Sequence, residues 1–378
     1  MFILQSRIIS IQKLLTISLT GILYLTVRQH VARRDSHLSS DVAHRDNHLS
    51  SDVAHRDNHL SSDMTAAAAF KQSDKGAQLE TNHHTGKSAV VSGSSRRYLT
   101  IAPLDGSFGR LGNFCFRYAS ALGIAKANNM TLVLPNTDLV REMRRAFQIT
   151  APLVSEVKVD TSDFVKVIEK HWGVFDTRYF FLPKSANVTL HRVYSQSWKY
   201  FYPIQRLVKT ELKPQPERSN DTHEFFRRLQ AFEGKGRIVI GVHVRRGDFL
   251  IPANQRWGYA VAPTAYFNRA IDYFITKYTT SKLIFVIASD DRSWCEKSLN
   301  FSGAPHHFTS GLSALEDFNI LTQCDHHIIS VGSFGWWTAW LSKPGTVIYY
   351  KDFPTPGSKH SKNHNPPDYY PSKWIAMS

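Results

Sequence analysis

Apolar positions in the second half of the chain gather into short unbroken runs, and the stretches between them have helical period. The foremost run is Ile238-Val-Ile-Gly-Val-His-Val244, mostly β-branched, which leads straight into Arg245-Arg246-Gly247-Asp248. Apolar residues at consecutive rather than alternate positions suit a strand buried on both faces of a parallel sheet. Residues 283–288, 327–331 and 346–350 read the same way, and helices are expected over 222–232, 263–278, 316–324 and 333–341. Strand and helix in alternation predict a doubly wound α/β domain.

The first half carries a shorter version of this pattern. A strand is expected at 98–104, then the glycine-rich Asp105-Gly-Ser-Phe-Gly-Arg-Leu-Gly-Asn113, a helix over 114–128 and a strand at 131–134. In that helix Phe114, Tyr118, Leu122 and Ala125 share one face. Residues 147–202 are rich in aromatics, among them Trp172, Phe175, Tyr179, Phe180, Phe181, Trp198, Tyr200, Phe201 and Tyr202. Such rings stack on sugars, but filling a core between domains is the more ordinary role, and it is the one expected for most of them. Lys213-Pro-Gln-Pro216 and Ser219-Asn220-Asp221 mark a boundary. Two Rossmann-like domains, 98–216 and 217–378, are therefore expected.

Ahead of them, residues 8–27 are largely apolar, with Lys13 able to snorkel toward the interface. The flanking Leu25-Thr-Val27 and arginines 28, 33 and 34 lack a small-residue cleavage pattern, so a signal anchor is expected rather than a cleaved leader. Residues 1–7 would then form a cytoplasmic tail. Residues 28–97 read as a disordered stalk, in which an 11-residue unit beginning at Arg34 recurs from Arg45 and again from Arg56. Each unit offers a core only Leu, Val and Ala, so tandem duplication explains the repeat better than a coiled coil does.

A formal net charge of +15 calls for an anionic partner. No zinc-knuckle spacing, RNA-binding strand signature or basic heptad helix supports nucleic acid in that role. Cys115, Cys295 and Cys324 are too few for a disulfide framework, leaving either one bridge with a free thiol or three buried thiols. Sequons at Asn129, Asn187, Asn220 and Asn300 fit a body lying in the secretory lumen.

The candidate chemistry is anion binding. Arg245 and Arg246 stand at the carboxyl end of a strand, where open α/β sheets bind ligands, and a guanidinium fork matches phosphate. A structural ion-pair cluster is the rival reading. Gly109, Arg110, Gly112 and Asn113 occupy a loop that lets backbone approach a ligand at a helix start. Gly332-Ser333-Phe334-Gly335 sits at a second strand-to-helix junction, where Ser333 caps the helix or donates to a phosphate. Asp317 complements a helix dipole or accepts from the paired donors of a guanine edge.

Taken together these motifs resemble the galactoside alpha-1,2-fucosyltransferase family, glycosyltransferase family 11. The resemblance rests on Gly109-Arg-Leu-Gly-Asn113, Gly241-Val-His-Val-Arg-Arg-Gly-Asp248, Leu283-Ile-Phe-Val-Ile-Ala-Ser289, Asp317-Phe-Asn-Ile-Leu-Thr-Gln-Cys324 and Gly332-Ser-Phe-Gly-Trp-Trp337. It implies transfer of fucose from GDP-fucose to the 2-hydroxyl of a terminal galactose, without a metal. It also implies a GT-B-like pair of domains in a type II protein of the Golgi membrane. In that scheme Arg245 contacts the diphosphate, and His243 and Arg246 order its loop. Ser333 and Phe334 lie at the phosphate end and Asp317 at the guanine, with Gly109 to Asn113 across the cleft. Phe114 and the Trp336-Trp337 pair depart from the family pattern and would reshape the acceptor side. Asp248 is either the base that takes the acceptor proton or a partner of the arginines. The competing readings are a fucosyltransferase of altered acceptor specificity, a metal-dependent transferase using Asp290 and Asp291, and an inactive glycan- or polyanion-binding membrane protein.

Overall fold

The computed structural model describes residues 96–103, 110–216, 219–311 and 313–378. The expected anchor, nearly all of the stalk, and Gly109 lie outside the described residues. All described residues belong to the compact unit 67–378. Among them, no helix is long and apolar enough to cross a membrane.

The chain builds two wholly parallel sheets. The first holds β1 (Tyr98–Ile101), β2 (Thr131–Val133), β3 (Val165–Ile168) and β4 (Val188–His191) in the order β2-β1-β4-β3. The second holds β5 (Ile238–Val244), β6 (Leu283–Ser289), β7 (His306–Phe308), β8 (His326–Ile329), β9 (Val347–Tyr350) and β10 (Ile375–Met377). Its order is β10-β9-β8-β5-β6-β7, so β5 pairs with both β6 and β8. In each sheet the strand order reverses at one point, between β1 and β4 and between β5 and β8. These switch points are where a crevice opens at the carboxyl ends of the strands.

The described helices of nine or more residues are α1 (Leu111–Ala127), α2 (Asp138–Ala146), α3 (Asn220–Glu233), α4 (Thr264–Tyr278), α5 (Ala314–Thr322) and α6 (Ser333–Leu341). The consecutive apolar runs form the central strands as expected: Leu283 to Ala288 is buried without a break, as is Ile240 to Val244. The sequence pattern gave no sign of β3, β4 or β7. β3 is an edge strand with Val165 and Ile168 41% and 56% exposed, so it carries no core-facing signature.

An aromatic core joins the two sheets' helices. Phe116 of α1, Phe201, Trp336 and Trp337 of α6, and Tyr369 belong to one buried cluster. Phe116 lies 4.5 Å from Trp336 and 5.1 Å from Trp337, centroid to centroid. Burying a tryptophan removes about 200 Å² from water, on the order of 5 kcal/mol of favourable transfer. The core role expected for the middle aromatics holds for Tyr179, Tyr200 and Phe201, all buried. Phe181 and Tyr202 depart from it, 83% and 53% exposed.

Two expectations need correcting here. Trp336 and Trp337 do not face a substrate, because both are fully buried and Trp336 spends its indole N–H on the Tyr369 carbonyl at 2.8 Å. Phe114 is likewise core, 1% exposed and stacked on Tyr118. All three cysteines are buried free thiols, which decides between the two readings left open above.

Candidate active site

At the carboxyl end of β5 the chain turns sharply and two arginines take different employment. Arg245 donates from its backbone to Ser330 Oγ at 2.8 Å, from Nη2 to Asp248 Oδ1 at 2.5 Å, and from Nε toward Asp290 Oδ2 at 3.3 Å. Its guanidinium stands 5.5 Å over the Phe249 ring. Arg246 donates from its backbone to Asp290 Oδ1 at 2.8 Å and from Nε to Asp291 Oδ2 at 3.0 Å. Its guanidinium lies only 3.9 Å over Trp294, a desolvated cation–π contact that holds the loop in place.

His243, two residues before Arg245 and buried, acts as a wedge. Its ring stacks on Phe334 at 5.2 Å, and a Cβ added to Gly335 would come within 2.5 Å of Nδ1. Burial pushes its pKa down to about 4, so the imidazole is neutral and shapes the loop without contributing charge.

Beside these arginines, α1 is preceded by Arg110 and α6 by Gly332, neither of which caps its helix with a side chain. Gly332 has φ +83°, a conformation that glycine adopts without strain. The two helix starts meet. Ser333 Oγ donates to Asn113 Oδ1 at 2.7 Å, and Gln196 Nε2 donates to the same oxygen at 2.9 Å. A Cβ on Gly112 would fall 2.6 Å from the Ser333 carbonyl carbon. Arg110 completes the junction by donating from Nη1 to Asp248 Oδ2 at 3.1 Å. Arg110 and Arg245 therefore share one carboxylate, with two uncapped helix N-termini beside them. Guanidinium forks and free helix amides are both suited to an anion.

The structure thus brings together Arg110, Gly112, Asn113, His243, Arg245, Asp248, Ser333 and Phe334. It gives Arg246 to the loop. Asp248 has a guanidinium on each oxygen, so its place is a bridge between the halves. Asp317 stands apart on the first turns of α5, where Oδ1 accepts the Gly311 N–H at 3.2 Å and burial raises its pKa. It connects to the cluster through its neighbour Phe318, whose ring packs on Phe334 at 5.4 Å.

The pair Asp290 and Asp291 serves the arginine loop. Asp291 also caps the short helix Arg292–Ser298, accepting from Trp294 N at 3.1 Å. Among the described residues no group of three or more His, Cys, Asp or Glu side chains is placed to hold a metal. Ser330 and Gln196 are participants that the motifs did not reveal, and Asp290 serves the arginines in place of the metal-holding role weighed for it. Ser330 lies two residues ahead of a recognised glycine motif, and Gln196 carries no local signal at all. Of the sequons, Asn129, Asn220 and Asn300 are exposed. Asn187 is half-buried, with its side-chain oxygen accepting from Tyr98 N at 2.8 Å.

Comparison with known proteins matches residues 90–378 to the model of Glycosyl transferase family 11. Galactoside 2-alpha-L-fucosyltransferase SEC1 of Bos taurus is 28% identical over 273 residues, covering 71% of this chain and 72% of that protein. Galactoside alpha-(1,2)-fucosyltransferase 1 of Leontocebus fuscicollis is 29% identical over 280 residues, covering 71% and 73%. Among solved structures, NodZ alpha-1,6-fucosyltransferase soaked with GDP-fucose aligns with a TM-score of 0.42 at 16% identity, covering 69% of this chain and 97% of that one.

Proposed function

The chain belongs to glycosyl transferase family 11, and from that premise we propose that it is an inverting fucosyltransferase that moves L-fucose from GDP-fucose to the 2-hydroxyl of a terminal galactose. The observation that carries the reading is the junction itself. Arg245 at the switch point of one sheet and Arg110 beside the switch point of the other converge on a single anionic group, Asp248, between two helix N-termini.

A diphosphate entering this junction meets two guanidiniums and the first amides of α1 and α6. As the bond from fucose C1 to phosphate oxygen breaks, the departing GDP takes the electron pair. Negative charge then grows where Arg245 is already fixed by Ser330, Asp290 and Phe249, and such preorganised charge lowers the barrier. The acceptor oxygen forms its bond to C1 from the opposite face, which inverts the configuration, and its proton passes to a base. Fixed arginines supply the charge that a divalent cation would otherwise supply, so the transferase works without metal and retains its rate in chelator.

In the GT-B-like arrangement that this reading adopts, the second sheet holds the nucleotide and Asp317 meets the guanine edge. The body lies in the Golgi lumen behind the 8–27 anchor as a type II protein, a placement supported by the exposed sequons Asn129, Asn220 and Asn300. The test is calorimetry with GDP, followed by incubation of GDP-fucose with a panel of terminal galactosides scored by the linkage formed. An α-1,2-fucosylated product supports the proposal. Donor hydrolysis without transfer points to a different acceptor, and absence of both GDP binding and turnover overturns the reading.

A further inference from the structure

Glu169 follows β3 directly, so it stands on the same carboxyl edge of the first sheet as the start of α1. Both of its oxygens accept backbone N–H groups: Oε2 that of Tyr194 and Oε1 that of Ser195, each at 2.7 Å. The segment it holds is strained. Arg192 and Ser195 have φ of +51° and +47°, the left-handed region that costs a residue with a Cβ about 1–2 kcal/mol. The turn is pinned further where Ser120 Oγ donates to the Ser195 carbonyl at 2.7 Å and Gln196 N donates to the Trp172 carbonyl at 2.8 Å. It ends on Gln196, whose side chain reaches Asn113.

Asn113 is the receiving end. Its side-chain oxygen accepts from both Gln196 and Ser333. An amide whose oxygen is held by two donors has its NH₂ group turned away from them, and that group can only donate. We propose that Glu169 is a positioning residue for the donor site: its carboxylate fixes the 192–195 turn so that Gln196 orients Asn113 with its amide hydrogens toward the sugar nucleotide. This rests on the reading of the cleft as a GDP-fucose site.

The chain of contacts runs from carboxylate to turn, from turn to amide, and from amide to the junction of α1 and α6. It has a pH dependence of its own. Burial raises the Glu169 pKa to about 7, against the lowering influence of the two backbone N–H groups, Ser195 and Arg117. The groups facing it from other elements are Arg117 of α1, Tyr179, Tyr200, His191 of β4, and Tyr194 and Ser195 of the turn. Arg117 is lowered only to about 10 and all three tyrosines are raised, so none of these four changes charge near neutrality. The ionised carboxylate serves both N–H groups. Once protonated, one oxygen becomes a donor facing a donor and the turn loosens.

The test uses the full chain and GDP-fucose, a diphosphate diester with no group of its own titrating near neutrality. Its affinity is measured by calorimetry at about pH 6 and about pH 8, spanning the group's transition. The wild type is expected to bind about tenfold more weakly at the lower pH, the worth of one hydrogen bond to a charged group. Glu169→Gln should bind about tenfold more weakly than wild type at the higher pH, with no further loss at the lower. Gln196→Met should behave like Glu169→Gln, and the double variant should be no worse than the weaker single one, because both act on one path. If Glu169→Gln does not fold, Gln196→Met carries the same comparison. His191, which neighbours Glu169 across the β3–β4 pairing, is controlled by His191→Gln, which should keep the wild-type pH response. A wild-type pH response in Glu169→Gln, or additive losses in the double variant, overturns the proposal. Wild-type protein that binds GDP-fucose with this pattern but makes no fucosylated product would overturn the transferase reading and leave this one standing.

Discussion

The hydroxyl of Ser333 donates a 2.7 Å hydrogen bond to the side-chain oxygen of Asn113, joining the first turns of two helices that lie 220 residues apart in sequence. Each helix follows a strand at a switch point, so the bond ties together the places where the two sheets open. Gly112 makes this approach possible, since an added Cβ would sit 2.6 Å from the Ser333 carbonyl carbon and 2.7 Å from Phe334 N. Neither neighbour is a flexible side-chain end. Gly112→Ala should therefore force α1 and α6 apart, lowering stability by about 1–3 kcal/mol and reducing transfer far more than that loss explains. Chemical denaturation and steady-state rates on one preparation check both parts, and an unchanged rate would rule out the close approach as a requirement.

Arg245 and Arg246 are adjacent in sequence and should fail differently. On the proposed reading Arg245→Ala takes away the charge that meets the departing diphosphate, and it should lower kcat by about a hundred- to a thousandfold. The fold should survive, because Asp248 keeps Arg110. Arg246→Ala strips the loop of its pairing with Asp291 and its contact with Trp294. The main loss there should be in stability, on the order of 1–2 kcal/mol, with GDP affinity following the loosened loop. Equal kinetic defects in the two variants would contradict this division.

Much of this arrangement was legible beforehand, for reasons that can be named. The β5 run and its arginines announce themselves because a central parallel strand must be apolar on both faces, and charge at its end then has a purpose. The starts of α1 and α6 are marked by glycines, of which Gly332 answers a local need, its φ of +83°, while Gly112 answers a distant one, the approach of Ser333. Gln196, Glu169 and Ser330 were not legible, since their roles depend on distant partners and on no local pattern. The Trp336-Trp337 pair misleads for the opposite reason. Its neighbours formed a motif, but helical geometry turns those two rings away from the motif and into the core.

That core placement makes a prediction of its own. Trp337 is fully buried, stacked on Phe201 at 5.3 Å and packed against Phe116. Trp337→Ala should cost about 3–5 kcal/mol of stability. Where the variant remains folded, its ranking of galactoside acceptors should match wild type. A changed acceptor ranking with unchanged stability would mean that the ring reaches the substrate.

The buried histidines should make the fold sensitive to acid. Burial lowers His243 and His327 each to about 4, whereas an unfolded histidine titrates near 6.5. A depressed folded pKa means that the stabilising contribution is complete above the unfolded value and is lost as pH falls toward the folded one. For each of these two groups the loss by about pH 5 is on the order of 2 kcal/mol. His360 and His364 are lowered as well, to about 4 and about 3, and act in the same direction. Unfolding free energies measured between about pH 8 and about pH 5 should therefore fall, the four histidines together outweighing Glu169, whose raised pKa acts in the opposite direction across the same window. His243→Gln loses the stacked wedge and should be less stable at the upper end. It has no proton to gain, however, so its fall across the window should be smaller than wild type by about 2 kcal/mol. Parallel curves for the two proteins would show that His243 is not held neutral against Phe334 and Gly335.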